Sequence, residues 1–242
     1  QEASRRGARL AVVAGGGRLK QEARSRGLPL LPIDCQSAPR AGLGYGFFLL
    51  LGLLHNLGMI SDRSKDLEET VRVLSDLKGR LDWEAPTTAN PAKQLAVKLQ
   101  GRLAVVYGAG ILEAVARRWK GQINENAKTW AFFEVFPELN HNSVVGYDLP
   151  RDLAKRILVV LLYSYHLHPR IIKRHHVTEE LLRKKGVDFE VVKSEGNSVL
   201  SHMMSSVLIG DYVSYYLAIL NGVDPTPVES VSFLKERLKS ID

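Results

Sequence analysis

Asn124-Glu-Asn-Ala-Lys128, followed by Pro137-Glu-Leu-Asn-His-Asn142, contains the residues of this chain best suited to chemistry. Both are short polar runs set between apolar segments. The first centres on a carboxylate, Glu125, and the second on an imidazole, His141. Glu and His are readily tuned toward neutral pKa values, so together they have the composition of an acid/base site. Each also has a plainer reading. Most glutamates are solvated helix carboxylates. Glu125, however, lies between two asparagines, with Trp119 and Ile123 before it and Trp130 to Phe133 after. If that helix end points into a cleft, partial burial raises the carboxyl pKa toward that of a useful base. His141 reads equally as a loop histidine whose neighbours Asn140 and Asn142 cap the next turn. Glu134 and Glu138 are competing carboxylates and rank below Glu125.

The remaining candidates are weaker taken singly. Arg40, behind a proline, could clamp an anion, although a salt-bridged surface arginine is the default. Lys235 has Glu236 beside it and Glu229 further back, and solvent is its plain reading. Gly108-Ala-Gly110 follows an apolar run, but Glu113 replaces the third glycine of a dinucleotide fingerprint, so tight strand-to-helix packing is expected there. Gly15 to Gly17 lacks the lysine-serine ending of a phosphate loop. His175-His176, with His166 and His168 nearby, does not match HExxH spacing and sits among Lys and Arg, so no metal is expected. The run Arg170 to His176 is expected to be a solvated helix face, and His202 a core histidine.

The elements that must position these residues follow from periodicity and punctuation. Leu10 to Val13 reads as a buried strand and Leu19 to Arg26 as a short helix. Leu28 to Ile33 is extended and carries two prolines, which suits an edge. A long apolar helix covers Leu43 to Leu57, and a charged one covers Asp66 to Leu77. Phe47 to Leu54 is apolar except for Gly52, so this stretch needs cover on nearly every side. Ala85 to Ala92 reads as a linker. Beyond it come a helix over Ala92 to Leu99, a strand over Leu103 to Tyr107 and a helix from Ile111 to Lys128. A polar loop precedes strand Ile157 to Leu162, then helix Pro169 to Lys185 and strand Phe189 to Val192. Helix Val199 to Leu220, a break at Asp224-Pro-Thr-Pro227 and a terminal helix over Val228 to Leu238 complete the chain. Alternating strands and helices predict an α/β protein with doubly wound parallel sheets. Two strands are expected in the first block and three in the second.

Composition narrows the class. With 242 residues, 45% hydrophobic and 24% charged, the chain can bury a substantial core, and disorder is excluded. The formal charge of +7 permits an anionic partner. The basic residues are scattered rather than striped with aromatics, so charge alone does not choose between nucleic acid and a small phosphorylated metabolite. One cysteine, Cys35, excludes an internal disulfide framework and fits a reducing, cytoplasmic setting. The apolar run Phe47 to Leu54 is too short to span a bilayer. The start Gln1-Glu-Ala-Ser-Arg-Arg6 reads as the middle or end of a helix, so the chain is expected to begin inside a domain.

The paired runs NENAK and PELNHN, with Gly16-Gly-Arg-Leu19, Ser37-Ala-Pro-Arg-Ala41 and Leu234-Lys235, resemble the bifunctional phosphoglucose/phosphomannose isomerases. These are a branch of the sugar isomerase (SIS) superfamily. The resemblance implies two SIS domains, 1–84 being the C-terminal part of a first, incomplete one and 85–242 a second with a C-terminal helix. It implies interconversion of glucose 6-phosphate, with its C2 epimer mannose 6-phosphate as a second candidate substrate, and fructose 6-phosphate through a cis-enediolate. On the family pattern Glu125 is the base between C1 and C2, and His141 opens the ring, in the partner subunit's site. Arg40 stabilises the enediolate, and Lys235 assists near the ring oxygen. No cofactor or metal is implied. The expected partners are a sugar phosphate and a second copy in a homodimer, with neither nucleic acid nor membrane. The alternative is a non-catalytic SIS protein that binds sugar phosphate. The family's phosphate loops belong to the first half of the first domain, and Ala14-Gly15 stands where relatives tend to carry hydroxyl side chains.

Overall fold

A computed structural model describes residues 2–241. They fall into two compact units divided between Arg63 and Ser64. The first contains α1 (Glu2–Arg5), β1 (Val12–Ala14), α2 (Gly17–Ser25), β2 (Leu30–Pro32), a 3-10 turn (Pro39–Gly42) and α3 (Leu43–Asn56). β1 and β2 pair in parallel, with Val12 opposite Leu30 and Ala14 opposite Pro32, and α2 is the crossover that such a pair requires. No side chain of α3 is buried.

The second unit holds α4 (Ser64–Leu81), α5 (Pro91–Leu99), β3 (Leu103–Gly108), α6 (Glu113–Ala127) and β4 (Ala131–Val135). After them come α7 (Arg151–Ala154), β5 (Ile157–Tyr163), α8 (Pro169–Lys185), β6 (Phe189–Lys193), α9 (Val199–Leu220) and α10 (Glu229–Lys239). Its sheet is parallel throughout, in the order β4-β3-β5-β6. Successive strand side chains point to opposite faces, and each face has its own core. Ala104, Val106, Leu158, Val160 and Leu162 pack with α4, α5, α6 and α9. Tyr107, Val159 and Leu161 pack with α8 and with Phe136 and Leu139 from the segment after β4. The fold is α/β with parallel sheets, as expected of the SIS type. One strand was not expected from the sequence: the second unit has four rather than three, because β4 occupies part of the stretch read as a polar loop.

α9 is the hub of the first of these cores. It is long and apolar enough to cross a membrane by length and composition, yet it lies packed among α4, α5 and α6. Small residues let its neighbours approach closely. Trp119 of α6 donates from Nε1 to the Ser206 carbonyl at 2.8 Å. A polar row one turn apart along α6 meets α9: Arg118 and Gln122 both bond Asp211 at 2.8 Å, and Asn126 bonds Ser214 at 2.9 Å. Burial pushes the Asp211 carboxyl above its ordinary pKa, and the Arg118 and Gln122 contacts offset only part of that.

His202 of α9 is a satisfied core histidine, as expected. Its Nδ1 meets Ser164 Oγ at 2.7 Å and its Nε2 the Gly196 carbonyl at 2.9 Å. His175 departs from the solvated face expected of Arg170 to His176. It is buried, stacked on Phe136 at 5.7 Å, with Nδ1 3.2 Å from Glu179 Oε1. Burial lowers the pKa of both histidines; at His175 the Glu179 carboxylate opposes this, and at His202 the Gly196 carbonyl does. Their neutral forms therefore favour the folded state at neutral pH. That contribution is fully present above the unfolded-state value of about 6.5 and is lost as pH falls from there through the folded values. The melting temperature is expected to drop between pH 7.5 and pH 5. A His175→Gln/His202→Gln double variant should flatten that limb, and an equally steep limb in the double variant would refute the attribution.

Candidate functional site

Glu125 sits on the last turn of α6, half-buried, on the wall of a groove of about 860 Å³ that Lys128, Trp130, Phe132, Val228 and Val231 also line. The two asparagines beside it have structural partners. Asn124 Nδ2 donates to the Thr129 carbonyl at 2.7 Å, closing the turn that ends the helix. Asn126 ties α6 to α9. The chain leaves α6 through Lys128 at φ 54°, and Lys128 is the one non-glycine residue with positive φ among those described. Trp130 then stands 77% exposed, with its ring edge-on to Phe132 at 6.3 Å.

His141 follows the 3-10 turn Glu138–Asn140 and is exposed. Its neighbours hold it in place. Leu139 is fully buried. Asn140 Nδ2 donates to Thr178 Oγ1 of α8 at 2.8 Å, and that hydroxyl in turn donates to the Arg174 carbonyl at 2.8 Å. Asn142 Nδ2 donates to Glu138 Oε1 at 3.1 Å, and Asn142 Oδ1 accepts from Ser143 N at 2.5 Å. Replacing Thr178 with Val keeps the shape of the side chain but removes the acceptor for the Asn140 amide. A loss of about 1–3 kcal/mol in urea unfolding is expected; an unchanged midpoint would show that the Asn140–Thr178 contact is not holding this turn.

Glu125 and His141 lie in layers on opposite faces of the sheet. α6 packs on the Val106 and Val160 side, whereas the Leu139 turn packs on the Tyr107 and Val159 side. Edge strand β4 runs between the two segments. His141 is not among the residues that line the Glu125 groove. Lys235 is exposed on α10, whose first turn (Glu229, Ser230, Val231) lines the Glu125 groove. Arg40 is half-buried in the 3-10 turn Pro39–Gly42 of the first unit.

Gly108-Ala-Gly110 serves packing, as the sequence suggested. A Cβ at Gly108 would lie 2.6 Å from the Leu112 carbonyl oxygen and 2.7 Å from Ala116 Cβ, so α6 presses directly on the end of β3. Among the described residues no group of three or more His, Cys, Asp or Glu is arranged to hold a metal ion. Sequence reasoning missed Lys128 and Thr178. For Lys128 a signal did exist: it occupies the position after a helix where glycine is usual.

The model of the family described as bacterial phospho-glucose isomerase C-terminal SIS domain matches residues 88–238. A bifunctional phosphoglucose/phosphomannose isomerase of Caldicellulosiruptor bescii is 42% identical over 242 residues, which is all of this chain and 71% of that one. A D-glucosamine-6-phosphate 4-epimerase of Sulfolobus acidocaldarius is 30% identical over 234 residues, 95% of this chain and 67% of that one. The crystal structure of a glucose-6-phosphate isomerase like protein from Thermus thermophilus superposes with a TM-score of 0.66 at 21% identity, covering 100% of this chain and 74% of the other; it supports the fold alone. The chain belongs to the SIS-domain phosphosugar isomerase superfamily and, within it, to the family whose C-terminal domain that model describes.

Proposed function

We propose that this protein is an aldose–ketose isomerase that interconverts glucose 6-phosphate, and its C2 epimer mannose 6-phosphate, with fructose 6-phosphate. The observation that carries this reading is Glu125: a half-buried carboxylate on a groove wall at the end of a helix braced by Asn124 and Asn126. A single carboxylate can take the proton from one carbon of the open-chain sugar and return it to the next, so the reaction needs no cofactor. His141 opens the sugar ring. Its layer is across the sheet from Glu125, which supports a homodimer in which each groove takes His141 from the other copy. Arg40 stabilises the cis-enediolate, since a guanidinium keeps its charge at neutral pH, and Lys235 assists near the ring oxygen. In this reading residues 1–84 form the end of a first SIS domain and residues 85–242 a second. The net charge of +7 suits an anionic sugar phosphate, and the lone Cys35 suits a reducing cytoplasm.

The test is conversion of fructose 6-phosphate in the presence of EDTA, with products separated so that C2 and C4 epimers are told apart. Formation of glucose 6-phosphate supports the assignment. Absence of turnover together with a sugar-phosphate shift in melting temperature would instead indicate a non-catalytic binding protein. Absence of both would remove sugar phosphates from consideration.

A further inference from the structure

We infer that Lys128 is a positioning residue that fixes the two walls of the Glu125 groove against each other. The inference rests on the reading of Glu125 as the catalytic base. One wall is the last turn of α6; the other is the segment from Val223 to Val231 that leads into α10. The Lys128 ammonium donates to the Glu125 carbonyl at 2.5 Å, to the Pro227 carbonyl at 2.6 Å and to the Pro225 carbonyl at 3.3 Å. An ammonium has three donors, so these carbonyls saturate it. Although Lys128 lines the groove, it has no donor to spare for a substrate phosphate.

The backbone supports the same conclusion. Lys128 holds φ 54°, a conformation that costs a residue with a Cβ about 1–2 kcal/mol and that glycine adopts freely. Glycine would satisfy the turn but could not reach Pro225 and Pro227. The cation also sits at the C-terminal end of α6, where the helix dipole favours positive charge. The clamp has work to do because α10 has no buried residue of its own. Its entry over the groove depends on the preceding loop. Besides Lys128, that junction is held by Asn221, whose Nδ2 donates to the Ala127 carbonyl at 3.1 Å and to Thr129 Oγ1 at 2.9 Å. Asp224 Oδ1 accepts from Thr226 N at 2.7 Å, which keeps the loop folded on itself. Lys128 thus couples the backbone of the proposed base to the helix that carries Lys235.

Lys128→Met tests this, because it keeps the stem and removes only the ammonium. Amide hydrogen exchange over residues 226–235 is expected to quicken about tenfold or more, with α9 unchanged. The kcat for fructose 6-phosphate is expected to fall about 10²-fold, the scale of a small misplacement at a reacting centre, with little change in KM. Lys128→Cys in a Cys35→Ser background, treated with bromoethylamine, rebuilds a lysine-like ammonium and should restore both. Unchanged exchange over 226–235 overturns the inference. So does faster exchange with unchanged kcat, which would make Lys128 a purely structural tie, and so does a loss that aminoethylation does not restore. If the unsubstituted protein turns over no hexose 6-phosphate, the proposed function fails separately. The exchange comparison, with its aminoethylated control, then decides alone whether Lys128 holds the groove walls.

Discussion

Glu125→Gln is expected to lower the isomerisation of fructose 6-phosphate by about 10²–10⁴-fold, the range for loss of a positioned general base, with an unchanged melting temperature. The amide has nearly the same shape, and the bonds that brace this helix end come from Asn124, Asn126 and Lys128. The variant therefore keeps the shape of the side chain and removes the carboxylate that takes up the proton. Turnover at the original rate would eliminate Glu125 as the base. A second arm tests where His141 acts. His141→Asn alone should also be impaired. If each groove borrows His141 from the other copy, unfolding and refolding equal amounts of the two variants together should recover about a quarter of the original activity. Half of the randomly formed dimers then carry one intact site. No recovery, with mixed dimers demonstrated, would mean that both residues act within one copy.

The largest stability effect is expected where α6 meets α9. A Cβ at Gly210 would lie 2.3 Å from Trp119 Nε1, 2.4 Å from Cε2 and 2.6 Å from Cδ1. The indole cannot swing aside without breaking its 2.8 Å bond to the Ser206 carbonyl, and it is buried in the core. Gly210→Ala should therefore cost about 2–4 kcal/mol in urea unfolding despite the better helix propensity of alanine. Gly121 of α6 is the internal control. A Cβ there meets nothing within 4 Å, so Gly121→Ala should be neutral or stabilise by up to about 1 kcal/mol. Equal stabilities for the two variants would contradict this account of the helix contact.

Much of the fold was legible because its signals are local. The helices Pro169–Lys185 and Val199–Leu220 were bounded correctly, each with a capping residue before it and a break after it. β4 was not legible. Its five residues lie between two polar runs, and Glu134 interrupts the apolar stretch. At the sheet edge only one side of the strand needs to be apolar, and five residues are too few for alternation to stand out. The periodicity of 66–77 revealed a helix with one apolar face. It did not reveal that Leu77 and Leu81 would join the core beneath α9, since a stripe records that cover is needed and not what supplies it. The same holds for the site. Glu125 and His141 drew notice by residue type, but their placement on opposite faces depends on where β4 inserts. The clamp at Lys128 depends on carbonyls about a hundred residues downstream, and backbone acceptors leave no trace in side-chain identity.

The central place of α9 has a consequence for synthesis on the ribosome. α4, α5 and α6 each rest on α9, which begins at Val199 and is therefore made after all three. While it is awaited, Leu77, Leu81, Leu95, Leu99, Val115 and Ile123 have lost none of their apolar surface to it. Closure of this half of the fold is postponed until α9 has emerged, the interval in which nascent proteins are most exposed to self-association and to holdase capture. Premature termination between Ser64 and Leu220 should thus leave the second unit without its core helix, and an insoluble product is expected rather than a smaller folded form of that unit. α9 itself leaves the exit tunnel as a 22-residue segment apolar enough to resemble a bilayer span, and what distinguishes it is that its binding groove has already been translated.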